Sequence, residues 1–210
     1  FQMVDLAVLA TVLVDQGFCL NLLGRADVVI PKGEEKPFAE VGLLIKLTID
    51  PGSGLIPVEG VLTKDSYVFS KDCHISGGFA FYMWYAGAHA GDFVISLGGY
   101  QNGYAKPVHY PSPDRLRLSW KLSPELSVSG SLYFALTPSY IMAGGDFQMV
   151  FEWKCVYAWF HAYTDIKIGW KPYSYTADIG ISIGVKVELK LFKVHMELGC
   201  DLAIWGPDFS

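Results

Sequence analysis

From Trp159 to Trp205 apolar and polar residues alternate along the chain, a period of two that extended strands use to separate an apolar face from a wet one. Ile179, Ile181, Ile183, Val185, Val187, Leu189 and Leu191 fall on one side, while Asp178, Gly180, Ser182, Gly184, Lys186, Glu188 and Lys190 fall on the other. Earlier segments read the same way: Phe1–Val14, Gly17–Leu22, Val41–Ile49, Leu55–Leu62, Gly77–Tyr85 and Asp92–Leu97. Arg115–Leu122, Leu126–Leu136, Gln148–Trp153, Tyr157–Trp170, Ala177–Leu191 and Lys193–Ile204 complete the predicted strands. No amphipathic helix of three turns is expected. Phe1–Val14 has a helical alternative, which its Val and Thr residues disfavour. The fold expected is all-β, with long antiparallel strands in one strongly curved sheet or a two-sheet sandwich.

The punctuation fits that reading. Asp15-Gln16-Gly17, Pro31–Pro37 and Lys64-Asp65-Ser66 break the pattern, and Asp50-Pro51-Gly52-Ser53-Gly54 suits a hairpin turn with a glycine at positive φ. Gly98–Pro113, interrupted by Pro107, Pro111 and Pro113, is expected to be a long ordered loop. The double glycines Gly77-Gly78, Gly98-Gly99 and Gly144-Gly145 are expected at turns and bulges. None precedes a helix, so none reads as a phosphate-cradling loop.

Composition narrows the partners. The 210 residues are 51% hydrophobic and 18% charged, where an average soluble domain carries roughly a quarter charged residues. The excess implies either sheets buried inside a larger assembly or apolar surface meant for lipid, ligand or partner. A formal net charge of −5 without a Lys/Arg run excludes the footprint of a nucleic-acid binder. Cys19, Cys73, Cys155 and Cys200 stand singly and read as buried free thiols, which points to a reducing, cytoplasmic compartment. Leu6–Val14 is too short for a spanning helix, and no signal peptide is read. The whole of 1–210 is expected to be one β-rich module, a piece of a longer chain.

Asp72-Cys73-His74-Ile75-Ser76-Gly77-Gly78-Phe79-Ala80-Phe81, His89-Ala90-Gly91-Asp92-Phe93-Val94 and Leu97-Gly98-Gly99-Tyr100 form a pattern that resembles the domain of unknown function 6603. That family occurs in very large fungal and bacterial proteins. The likeness runs on through Pro107-Val108-His109-Tyr110-Pro111, Tyr133–Pro138, Met142-Ala143-Gly144-Gly145, Ala158-Trp159-Phe160, Trp170-Lys171-Pro172 and Leu202–Pro207, and it departs at Gln101-Asn102-Gly103. The resemblance implies a module within a larger β-rich protein and supplies no activity.

Candidate chemistry is sparse. His74, His89, His109, His161 and His195 show no metal-ligand spacing, so neither a metal nor a cofactor is expected. His89 and Asp92 form the best local pair, and His109 lies on the proline-rich loop that could fold over them. Together they are the candidate general base or metal site of a hydrolase. The competing reading makes His89 and Asp92 turn residues that bond the backbone and each other. Glu34 and Glu35 read as solvated, and Gly52-Ser53-Gly54 lacks the context of a nucleophile elbow. Aromatics are more suggestive: Phe79, Phe81, Tyr82 and Trp84, with Tyr100 and Tyr110, are expected either to be buried on both faces of a sandwich or to line an apolar groove. Alternation with aromatic enrichment also suits a membrane-inserting, toxin-like segment. The sequence therefore favours a non-enzymatic structural or binding module whose partners are flanking domains, lipid or another apolar ligand.

Overall fold

A computed structural model describes residues 4–14, 18–31, 37–189 and 191–207. The Asp15-Gln16-Gly17 turn, most of the Pro31–Pro37 loop with Glu34 and Glu35, and Lys190 lie outside the described residues. Among the described residues fourteen strands form one antiparallel sheet. They are β1 Val4–Leu13, β2 Cys19–Ile30, β3 Ala39–Ile49, β4 Leu55–Leu62, β5 Tyr67–Val68, β6 Cys73–Ser76 and β7 Gly78–Trp84, followed by β8 Phe93–Leu97, β9 Leu116–Lys121, β10 Leu126–Leu136, β11 Tyr140–Trp153, β12 Val156–Trp170, β13 Tyr173–Glu188 and β14 Lys193–Gly206. The all-β expectation holds, and the arrangement is a single sheet rather than a sandwich.

The register shows how fourteen strands make eleven positions. β3 faces β4 along Leu43–Leu47 and β5 at Ala39 and Glu40, so β4 and β5 lie end to end. β6 and β7 likewise share the next position, broken at Gly77, and β8 and β9 share the one after. Two offsets interrupt this order. Leu43 pairs with Leu62 and Ala39 with Val68, so four residues on β3 face six and two are extra. Leu132 and Phe134 of β10, two apart, pair with Leu116 and Leu97, nineteen apart, so seventeen are extra. The second offset is the proline-rich stretch read from the sequence, an insertion that leaves the sheet at Gly98 and returns at Arg115.

Local chemistry explains the hairpins. Trp153 pairs with Val156 across the two-residue loop Lys154-Cys155, with Lys154 at φ 52°, the positive value such tight turns demand. The Asp50–Gly54 turn forms as expected, with Gly54 at φ 66° and the Ser53 N–H donating to the Asp50 carbonyl at 3.1 Å. Three expectations need correcting. Gly144 and Gly145 are not at a turn: they sit inside β11, where the Tyr133 ring occupies the space a Cβ on Gly144 would need. β11 therefore begins at Tyr140, upstream of the predicted Gln148 start, and β2 runs on to Ile30. Of the four free thiols only Cys73 is buried; Cys200 is exposed.

The insertion covers the middle of one face of the sheet. Its Tyr100 and Tyr110 pack onto Trp84, Val94, Leu55 and Tyr82 of the sheet, and beside them Tyr100 and Tyr104 pack with Tyr133, Ala135, Met142 and Tyr140. Trp84 and Tyr110 stack at 5.7 Å between ring centroids. The ends are pinned by backbone bonds, Gly98 N–H to the Gly78 carbonyl at 2.8 Å and Gly78 N–H to the Asp114 carbonyl at 3.0 Å. Full burial of one such aromatic side chain contributes about 1.5–3 kcal/mol, so this region holds the molecule's hydrophobic core.

Candidate functional site

Directly paired residues of antiparallel strands lie on the same face of a sheet, so the register sorts every strand residue onto one of two faces. One row crosses the whole sheet: Val8, Gly24, Ile45, Gly60, Phe79, Leu97, Phe134, Ala143, Ile166, Ala177 and Ile204. It takes one residue from each of the eleven positions and spans about 48 Å at the usual strand spacing. The neighbouring rows on that face are of the same kind, for example Leu126, Phe151, Ala158, Val185, Met196 and Val128, Met149, Phe160, Ile183, Leu198.

Among the described strand residues, every Asp, Glu, Lys, Arg and His lies on the opposite face. A row there reads Leu23, Lys46, Glu59, Ala80, Ser96, Ala135, Met142, Lys167 and Thr176. The sheet therefore has an apolar face without charge and a polar face that carries the insertion. The apolar face is open to solvent at both flanks: Leu6 is 68% exposed, Met196 66% and Leu198 74%. Soluble monomers rarely leave contiguous apolar patches larger than a few hundred Å². Between β10 and β14 the face is hollowed into a groove of about 480 Å³, whose side-chain walls include Leu126, Met149, Phe151, Phe160, Val185 and Leu198. A small residue helps to make the hollow, since Ala158 lies between Phe151 and Val185 in its row.

The polar face is built around aromatic rings that lie over glycines. Trp159 covers Gly184 and Tyr163 covers Gly180, each leaving no room for a Cβ. This explains the glycines that alternate with isoleucine in β13: they let cross-strand rings lie flat on the sheet. Near the insertion a polar cavity of about 730 Å³ is lined by His74, Arg115, Arg117, Ser129, Asp146 and His161, among others. Arg115 lies over the Tyr133 ring at 4.2 Å and donates to the Tyr100 carbonyl at 2.8 Å. Its Nη1 is buried without a partner among the described residues. Burial holds this guanidinium below its usual pKa, opposed chiefly by the nearby Tyr133 and Asp165.

The structure brings His89, Asp92 and His109 together. His109 Nε2 lies 2.8 Å from Asp92 Oδ2, and the His89 and His109 rings stack at 3.7 Å. Asp92 Oδ1 accepts from the Tyr110 hydroxyl at 2.7 Å and from the Phe93 N–H at 2.8 Å. The side chains of His89 and Asp92 do not bond each other; the Asp92 N–H donates to the His89 carbonyl to close the turn. Among the described residues no hydroxyl or thiol is hydrogen-bonded to His109, and no three acidic, His or Cys side chains gather as metal ligands. Chemically the cluster is a carboxylate–imidazole pair that fastens the insertion to the β7–β8 connection. Burial, then the bond to Asp92, raises the Tyr110 phenol above its ordinary pKa. Burial likewise raises Tyr82, Tyr100 and Tyr133, with Glu59 and Asp165 adding to it at Tyr82 and Tyr133.

The aromatic candidates divide between the faces. Phe79 and Phe81 lie on the apolar face, whereas Tyr82 and Trp84 belong to the core beneath the insertion, which Tyr100 and Tyr110 of the insertion complete. They do not form one groove. The groove residues Met149, Phe160, Met196 and Leu198 escape a motif search because each is one more apolar residue in an alternating strand.

The fold and surface define a class: an all-β protein of one sheet, with one face free of charge among the described strand residues. The chain belongs to the DUF6603 family, described as a family of unknown function, whose match covers residues 1–210. No curated protein and no solved structure matches it. Among the described residues no helix is long and apolar enough to cross a membrane.

Proposed function

We propose that this chain is a non-enzymatic binding module that works through the apolar face of its sheet, within a larger multidomain protein. The observation that carries this reading is the row of eleven uncharged residues running uninterrupted from β1 to β14, with the strand charges on the opposite face. Folding of this chain leaves much of that face exposed, as at Leu6, Ile181, Leu198 and Leu202, and exposed apolar surface of such extent gains most by meeting an apolar partner, whether lipid, ligand or neighbouring module.

A test uses the nonpolar dye 1,6-diphenylhexatriene, whose fluorescence rises in apolar surroundings. Ile181→Lys combined with Leu202→Lys, both on exposed parts of the apolar face, is expected to abolish the signal while leaving the far-UV spectrum and melting unchanged. Asp178→Asn on the polar face is expected to leave dye binding intact. Equal dye binding by all three proteins would overturn the reading.

A hydrolase centred on His89, Asp92 and His109 is the second reading, favoured by the 2.8 Å imidazole–carboxylate contact. It is the weaker one because Asp92 is already engaged by Tyr110 and Phe93, and because no nucleophile is hydrogen-bonded to His109 among the described residues. Substituting His89 and Asp92 together with Ala separates the two: an enzyme loses turnover with its fold intact, and a clasp loses stability.

A further inference from the structure

Resting on that reading, we propose that the groove between β10 and β14 takes a hydrocarbon chain of an individual lipid. Two adjacent rows form its floor, Leu126, Phe151, Ala158, Val185 and Met196 across five strands and Met149, Phe160, Ile183 and Leu198 across four. Five strands span about 19 Å, and one leaflet's acyl chains fill about 15 Å, half of a bilayer's hydrocarbon core. The groove is thus long enough to hold one acyl chain as it lies in a leaflet.

The chemistry of the floor selects the occupant. No side chain in either row carries an N–H, an O–H or a charge, whereas protein interfaces make about one hydrogen bond per 100–200 Å². A surface with no such group suits a ligand that needs none. Trp159, Gly184 and Glu197 also line the groove, but the side chains of Trp159 and Glu197 alternate to the polar face and leave backbone on this side. Met149 and Met196 supply flexible, polarizable walls that adapt to chains of differing shape. A bilayer is the competing occupant. A spanning barrel closes its sheet so that no edge is left, while here β1 pairs only with β2 and β14 only with β13 among the described residues.

The probe is palmitate carrying a diazirine in its chain, incubated with detergent-free protein, irradiated, and mapped by peptide mass spectrometry. Saturable labelling is expected at Met149, Phe160, Met196 and Leu198, competed by unlabelled palmitate. Leu198→Glu and, separately, Met196→Lys should each weaken it at least tenfold, with Asp178→Asn unchanged. Because both sites are exposed, unchanged melting curves will show that the variants fold. Labelling that does not saturate, or that ignores Leu198→Glu, overturns the proposal. If palmitate fails while diphenylhexatriene still depends on Ile181 and Leu202, the hydrocarbon assignment falls and the binding reading stands; if both fail, both fall. Leakage of phosphatidylcholine–phosphatidylglycerol vesicles without palmitate labelling would also overturn it, making the face a membrane surface.

Discussion

The middle of the sheet and its C-terminal flank share one strand pattern and differ in what covers them. In the middle, the insertion seals the polar face, and Val94, Ala135 and Met142 are fully buried. In β12, β13 and β14 the buried positions are the glycines Gly169, Gly180 and Gly184, while isoleucines and leucines on the other side stand in solvent. The flank is held by its ladders and cross-strand pairs, whereas the middle is also held by a core. Apolar surface there has already been removed from water; on the flank it has not, and a ligand bound to it would add its binding energy to the stability of the folded state.

The comparison can be broken most strongly by alkali. Tyr82, Tyr100, Tyr110 and Tyr133 have phenols raised above the ordinary value, first by burial. A raised folded pKa gives stability that is full below the unfolded value of about 10 and is lost as pH rises through the folded value. Melting followed from pH 8 upward should therefore fall once pH passes about 10, with tyrosine ionisation lagging until the middle opens. Simple ionisation at pH 10 without loss of structure would contradict the packed insertion.

Methionine tests both regions with one substitution. Met142→Ala, at a site with no exposure, should cost about 3 kcal/mol in urea unfolding. Met196→Ala, on the open flank, should change stability by less than about 0.5 kcal/mol. Similar costs at both would mean that the flank is covered after all. Between these extremes falls Gly98→Ala, where the chain leaves the sheet at φ 70° and a Cβ would lie 2.5 Å from the Leu132 carbonyl oxygen. Strain of that kind should cost about 2 kcal/mol. Asp92→Ala, which leaves the Tyr110 hydroxyl without its acceptor, should cost about 1–2 kcal/mol and expose the insertion to limited proteolysis.

Much of this was legible in the alternation. The hairpin turn at Asp50–Gly54, the strand Leu126–Leu136, the irregular Gly98–Pro113 stretch and the two-sidedness of Ala177–Glu188 follow from local propensity and period two, which need no neighbours. Gly144 and Gly145 were not legible, because a glycine that frees a turn and one that accepts a neighbouring ring look the same in one dimension. The same holds for the aromatic cluster: alternation separates Phe81 from Tyr82, but which face is buried depends on where a distant loop folds.

The sequence by itself determined that the chain makes strands and that one side of each is apolar, since side-chain direction follows residue parity along an extended backbone. Only the tertiary structure decided that these sides join into one face across eleven positions. Register is a property of pairs of strands, and a slip of a single residue would have scattered the charges over both faces. It also decided that the seventeen-residue insertion lies on the polar face, bringing His109 to Asp92 and leaving the apolar face without that cover.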